Sequence, residues 1–245
     1  MATVALAAVV LHGSDDALAT RETQASAGVA GPAAPTPDAS TPAGTAPPES
    51  EPPVSVDPTV SVEPTASPEP EVVDPGTGRL RLVDGGSERS GSGPLRRYRV
   101  QVEGGLGVDV AEFAGAVDRT LADSRSWGAD DRLSFQRVDD ASADFTVVLA
   151  SPTTADRLCR PLDTAGIYSC GIGSTAVINS MRWLEGADAY DGHLPEYRQY
   201  VVNHEVGHVL GHHHDQCAGK GRDAPVMMQQ TKGVGSCTAQ PWPYG

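Results

Sequence analysis

The sequence predicts an α+β domain, a twisted mixed sheet backed by helices, preceded by a long Pro-rich region that builds no core. Three observations lead there. Apolar residues alternate with period two in several short runs and recur at helical spacing in two longer ones, in the order strand, helix, several strands, helix. Residues 1–94 hold 14 of the 20 prolines and none of the four cysteines. Finally, the segment His204-Glu205-Val206-Gly207-His208-Val209-Leu210-Gly211-His212-His213-His214 spaces metal-ligating side chains as one face of a helix would.

The elements follow in order. Residues 1–12 open with the apolar run MATVALAAVVL, broken by His12 and Gly13. This is too short to span a bilayer and lacks the basic n-region of a signal peptide. Two readings stay open: a truncated signal or membrane anchor, which the spacer and the cysteines favour, or an apolar start of no consequence. Within the spacer 13–75, Gly31 to Pro75 is largely Pro, Ala, Ser, Thr, Glu and Asp with a few valines as its only larger apolar residues, so burial cannot offset the entropy of ordering it. A disordered, partly polyproline II tether is expected there.

From residue 76 the pattern changes. Gly78 to Val83 alternates and can pair with Arg97 to Val102, whose Tyr98, Val100 and Val102 share one face. Val108 to Ser124 carries Val110, Phe113, Ala114, Val117 and Leu121 as an amphipathic helical stripe. Leu133 to Val138 and Phe145 to Leu149 read as strands with Asp139-Asp140 turning between them, and Ile167 to Ile172 and Ala176 to Asn179 read as two more. The last helix is expected to begin near Leu194-Pro195, proline being tolerated in a first turn, and to end at Gly211.

Charge and cysteines bound the function. Residues 1–94 carry 4 basic and 13 acidic side chains and residues 95–245 carry 14 and 19, for a net charge of −14. Nothing forms a basic footprint, so nucleic acid is not an expected partner. Cys159, Cys170, Cys217 and Cys237 contain no C-x-x-C pair, which argues against a structural zinc knuckle. Of the three pairings, proximity favours Cys159–Cys170 and Cys217–Cys237, because short loops lose least entropy on closing. Four free thiols in a cytosolic protein are the alternative.

The chemistry concentrates at residues 204–214. On a helix His204 and His208 lie one above the other and can face a single ion, while Glu205, about 100° round, reaches a water on that ion without ligating it. Gly211 can take φ > 0, turning the chain so that His214 approaches as a third ligand. A fourth position is then left for water, as catalytic zinc requires. Bare H-E-x-x-H arises by chance in about one such sequence in a hundred, and Gly211 with His214 lowers that to roughly a few in a hundred thousand. Asp215 is an alternative third ligand, but His214 has the spacing. His212 and His213 are expected as solvated loop side chains, His193 as a surface residue rather than an oxyanion partner, and Glu196 as a first-turn carboxylate. Trp127, Trp183 and Trp242 are expected to pack rather than bind substrate.

Motif and element order resemble the metzincin clan of zinc endopeptidases. The resemblance implies His204, His208 and His214 as ligands, Glu205 as catalytic base and a Met-containing turn beneath the metal. In Ala224-Pro225-Val226-Met227-Met228-Gln229-Gln230 the residue for that turn is Met227, thirteen after His214, with Met228 beside it; either Met filling core space is the alternative. Gln229 stands where some members carry a Tyr that swings onto the zinc. The region from Gly171 to Ser174 borders a substrate cleft by the same analogy. With Arg198-Gln199-Tyr200-Val201-Val202-Asn203 before the motif and Gln240-Pro241-Trp242-Pro243-Tyr244 at the end, residues 76–245 are also similar to a family of secreted, zincin-like actinobacterial domains of unknown function.

The expected protein is a monomeric, secreted or envelope-tethered endopeptidase with one Zn²⁺, hydrolysing a protein or peptide through a zinc-activated water and Glu205 as general base. The alternatives are a catalytically silent zinc-binding interaction domain and a structural cell-envelope protein.

Overall fold

The computed structural model describes residues 71–245. The signal or anchor expected at 1–12, and all but the last five residues of the 13–75 spacer, lie outside the described residues.

The sheet has six strands and is mixed, with β1 (Leu80–Leu82), β2 (Leu95–Glu103), β4 (Phe145–Ala150), β6 (Thr175–Asn179) and β5 (Cys170–Ile172) side by side in that order, and β3 (Ser134–Arg137) paired with β2. The backbone of β2 explains the arrangement. Its Tyr98 and Val100 carbonyls accept from Val138 and Val83 N–H at 2.8 and 2.9 Å, whereas the Arg97 carbonyl accepts from Asp144 N–H at 2.8 Å. Successive carbonyls point to opposite edges of a strand. β3 and β1 therefore share one edge of β2, β3 parallel along Leu95–Tyr98 and β1 antiparallel along Gln101–Glu103, and β4 runs parallel on the other edge. Asp139 and Asp140 thus sit in a crossover from one edge of β2 to the other, not in a hairpin turn. Asp144 anchors its far end by accepting the Arg97 N–H on its carboxylate at 2.7 Å.

Both faces are covered at β4. Phe145, Val147 and Leu149 join the main core with Tyr98, Val100, Val102 and Ile178, under α1 (Val110–Ala122) and α4 (Leu194–Val209). Val148 and Ala150 point the other way, into a smaller cluster with Val177, Ala155 and the Cys159–Cys170 bridge. The strand is buried throughout, so it reads as a continuous apolar run. Asp109 caps α1, accepting the Ala111 and Glu112 N–H groups at 2.9 and 3.0 Å. Two helices had no counterpart among the expected elements, α2 (Pro152–Leu158) and α3 (Ser180–Glu185). At seven and six residues neither is long enough to display a periodic stripe.

Glu103, 1% exposed, ties the start of the domain to this frame. Its carboxylate accepts Gly78 N–H at 2.6 Å, Ser151 N–H at 2.7 Å and the Thr154 hydroxyl at 3.0 Å. Burial alone would raise its pKa, but these donors outweigh burial and hold it below the ordinary value. The two disulfides pair Cys159 with Cys170 and Cys217 with Cys237. No helix among the described residues is long and apolar enough to cross a membrane.

Candidate metal centre

The centre is built on the C-terminal half of α4, which is buried from Tyr200 to Gly207. Such burial asks for a small residue where other chain crosses the helix. Gly207 supplies it: a Cβ there would run into Met227 Sδ and, at 2.7 Å, Trp127. Met227 therefore packs beneath the turn that separates His204 from His208. After Val209 the helix closes with Gly211 at φ 97°, His212 N–H donating to Gly207 O at 2.9 Å and Gly211 N–H to His208 O at 3.0 Å. These two bonds make a Schellman cap, and glycine takes the left-handed position that a side chain would disfavour.

The reversed chain brings His214 back to the helix. One ring nitrogen from each of His204, His208 and His214 lies within 4.8 Å of the others, a group able to hold a metal ion. His208 Nε2 and His214 Nε2 are 3.1 Å apart. Two nitrogens bound to one zinc at 2.0–2.1 Å and tetrahedral angles would lie about 3.3 Å apart, close to the spacing of this one pair. On His204 and His208 the other ring nitrogen is committed. His204 Nδ1 bonds the Val226 carbonyl at 2.8 Å and His208 Nδ1 the His212 carbonyl at 2.9 Å. A carbonyl only accepts, so each Nδ1 carries the proton and each Nε2 presents its lone pair to the centre.

Electrostatics keep the rings in the ligating form. Burial pushes His204 down to about 3, with His208 and His214 adding to the effect and the Val226 carbonyl opposing it. Burial also lowers His208, and lowers His214 together with the charges of His208 and Lys232. Glu205, 5% exposed, lies on the same cleft. Burial pushes its carboxyl well above the usual range, and the neighbouring Gly171 backbone pulls it partly back. A cation on the three histidines would draw it down further.

The cleft, about 400 Å³, has α4 as its floor. One wall is the loop from Leu162 into β5, and the other is His213, His214 and the segment Gln229–Lys232. β5 is an edge strand and comes down onto α4 at Gly171, where a Cβ would collide with Glu205 O and His208 Cβ.

Residues 67–244 match the family described as Protein of unknown function (DUF3152). The chain belongs to that family. No curated protein and no solved structure matches it.

In this DUF3152 domain the remaining candidates are distributed as follows. Asp215 is not part of the histidine group; its N–H donates to Met227 O at 3.1 Å, on the side of the loop away from the cleft. His213 lines the cleft, whereas His212, though exposed, stacks on Trp127 with centroids 4.3 Å apart. His193 precedes α4 and Glu196 lies in its first turn; neither lines the cleft. Met228 gives its carbonyl to the Tyr200 hydroxyl at 3.0 Å. Trp183 packs edge-on to Phe113, and Trp242 is buried with Arg125 over its ring.

Several residues of the DUF3152 site escaped the sequence reading. Gln230, fully buried, accepts from Tyr190 OH at 3.0 Å and gives its N–H to Tyr200 OH at 2.8 Å. Its amide nitrogen donates to Pro225 O and Gln240 O at 3.1 and 2.7 Å. It thereby fixes the segment whose Val226 carbonyl orients His204. Asn203, also buried, accepts Ser126 Oγ at 2.8 Å and donates to Pro241 O at 3.0 Å, locking the helix to the C-terminal segment. Tyr168, Thr231 and Lys232 line the cleft. The one available signal was adjacency: Tyr168 lies two residues before Cys170, and Thr231 and Lys232 follow the Met pair.

Proposed function

We propose that the chain is a metzincin-like zinc endopeptidase acting outside the cytosol, on a protein or peptide. The observation that carries this reading is the joint placement of three neutral imidazoles around one point, with the Glu205 carboxyl beside them on the floor of an open cleft. Three nitrogen ligands and an open side suit catalytic zinc better than a structural site, which would be closed by a fourth protein ligand. When bound, zinc would supply Lewis acidity, polarising the scissile carbonyl and acidifying water.

The chain's own groups do the rest. Val226 and His212 carbonyls hold the His204 and His208 rings in register. Glu205 Oε takes the proton of the attacking water and passes it to the leaving amine. Met227 and Gly207 set the level of the helix beneath, the place a Met-turn holds in the clan. Two disulfides support an oxidising compartment, and with it a secreted or envelope-associated protein.

The test is cleavage of a mixed peptide library by the full zinc-loaded chain beside Glu205→Ala. Glu205→Ala is expected to lower kcat by about 10²–10⁴-fold while retaining one zinc, because Glu205 is no ligand. Undiminished cleavage by the variant would end the assignment. Stoichiometric zinc with no cleavage by either protein would point instead to a silent zinc-binding interaction domain.

A further inference from the structure

The cleft contains a charged group that the steps above do not use. Lys232 closes the short 3₁₀ turn Gln230–Lys232. Its ammonium sits 4.8 Å from the centre of the Tyr168 ring, carried by the facing wall, and donates to Gln229 Oε1 at 3.2 Å. Among the described residues no carboxylate lies within 4.0 Å of it. The two carboxylates of the cleft are engaged elsewhere: Glu205 is buried against Gly171, and Asp163 accepts its own loop's Ala165 N–H at 3.0 Å. An ammonium has three donors, so the contacts with Gln229 and the Tyr168 face leave at least one directed at whatever enters. In a chain of net charge −14, a lysine left without an acidic partner in the metal cleft is complementary to an anion. Leu162, 50% exposed, adds an apolar surface to the facing wall.

We propose that Lys232, propped on Tyr168 and Gln229, is a specificity-determining residue that receives a carboxylate of the bound peptide. The inference deepens the peptidase reading and rests on it for the cleavage measurement alone. The carboxylate has two sources, an acidic side chain near the scissile bond or the peptide's free C-terminus.

The experiment uses the full zinc-loaded chain and eight-residue peptide mixtures carrying Glu, Gln or Lys at one fixed position, each made with a C-terminal acid or amide. Cleavage is compared for wild type, Lys232→Met, Lys232→Arg and Lys232→Glu, and binding of the same mixtures is measured by fluorescence polarisation on Glu205→Gln. The exposed side chain makes these substitutions neutral for folding. Wild type is expected to favour one carboxylate-bearing set about tenfold in kcat/KM and in affinity over its amide counterpart. Lys232→Arg keeps the preference, Lys232→Met loses it, and Lys232→Glu turns it toward the Lys mixtures. A preference for Glu over Gln identifies the side chain, and one for acid over amide identifies the C-terminus. A Lys232-dependent preference in binding without cleavage supports the carboxylate site and removes the peptidase reading. Cleavage with no carboxylate preference, a preference that survives Lys232→Met, or no binding of any mixture overturns the assignment of Lys232.

Discussion

His204 shows how much a single ring depends on its surroundings. It is buried, its Nδ1 proton is spent on Val226 O, and two further imidazoles crowd its other side. Burial lowers the pKa of His204, His208 and His214 alike below 6.5, so in the folded chain all three remain neutral where free histidine begins to protonate. The sign is that of a depressed base. The unfolded chain takes up protons first as pH falls through 6.5, and metal and fold are favoured above that value. Zinc is therefore expected to stay bound in dialysis at pH 6 and to leave only at lower pH, whereas a peptide of residues 200–216 releases it nearer 6.5. Equal release midpoints for the two, by metal analysis, would show that the fold does not pre-organise the ligands.

At the level of elements, the decisive contact is β5 on α4. A three-residue edge strand held by the Cys159–Cys170 bridge lies so close to the helix that Gly171 has no room for a methyl group. Both obstructing atoms are fixed, one a backbone carbonyl and the other a Cβ, so neither can swing aside. Gly171→Ala is expected to push β5 away, destabilising by about 1–3 kcal/mol. For a domain of this size that is a melting shift of roughly 2–12 °C. Gly171 lines the same cleft as Glu205, so the displacement reshapes that wall and kcat falls while zinc content holds. Unchanged melting and turnover would mean that the strand yields without consequence.

Across the molecule, the buried Glu103 joins Gly78, Ser151 and Thr154, and so closes the N-terminal edge of the sheet onto α2. Its folded pKa is depressed from 4.5, so its stabilisation is complete above that value and is lost as pH falls through the folded one. Glu103→Gln is expected to lower stability by about 2–4 kcal/mol at pH 7, leaving buried N–H groups without an anionic acceptor. It should also flatten stability against pH below 4.5 relative to wild type. Denaturant titrations at pH 7 and pH 4 measure both; parallel curves for the two proteins would remove Glu103 from the acid response.

Whatever repeats along the chain, or lies within one helical turn, is legible from the residues alone. His204, Glu205 and His208 are legible because α4 enforces their spacing, Gly211 because only a glycine readily takes its left-handed turn, and β2 because Tyr98, Val100 and Val102 alternate. The cysteine pairs were legible because their loops are short. The tertiary structure decided everything that depends on distant chain meeting at one point. Val226 orienting His204, Gln230 joining Tyr190 to Gln240, and Tyr168 facing Lys232 link residues 10 to 64 positions apart, and no local period encodes such meetings. The placement of β3 and β4 on opposite edges of β2 was equally out of reach. β3 is a short half-buried run and β4 a continuous buried one, but neither pattern specifies an edge, and only the direction of the Arg97, Tyr98 and Val100 carbonyls separates the two edges.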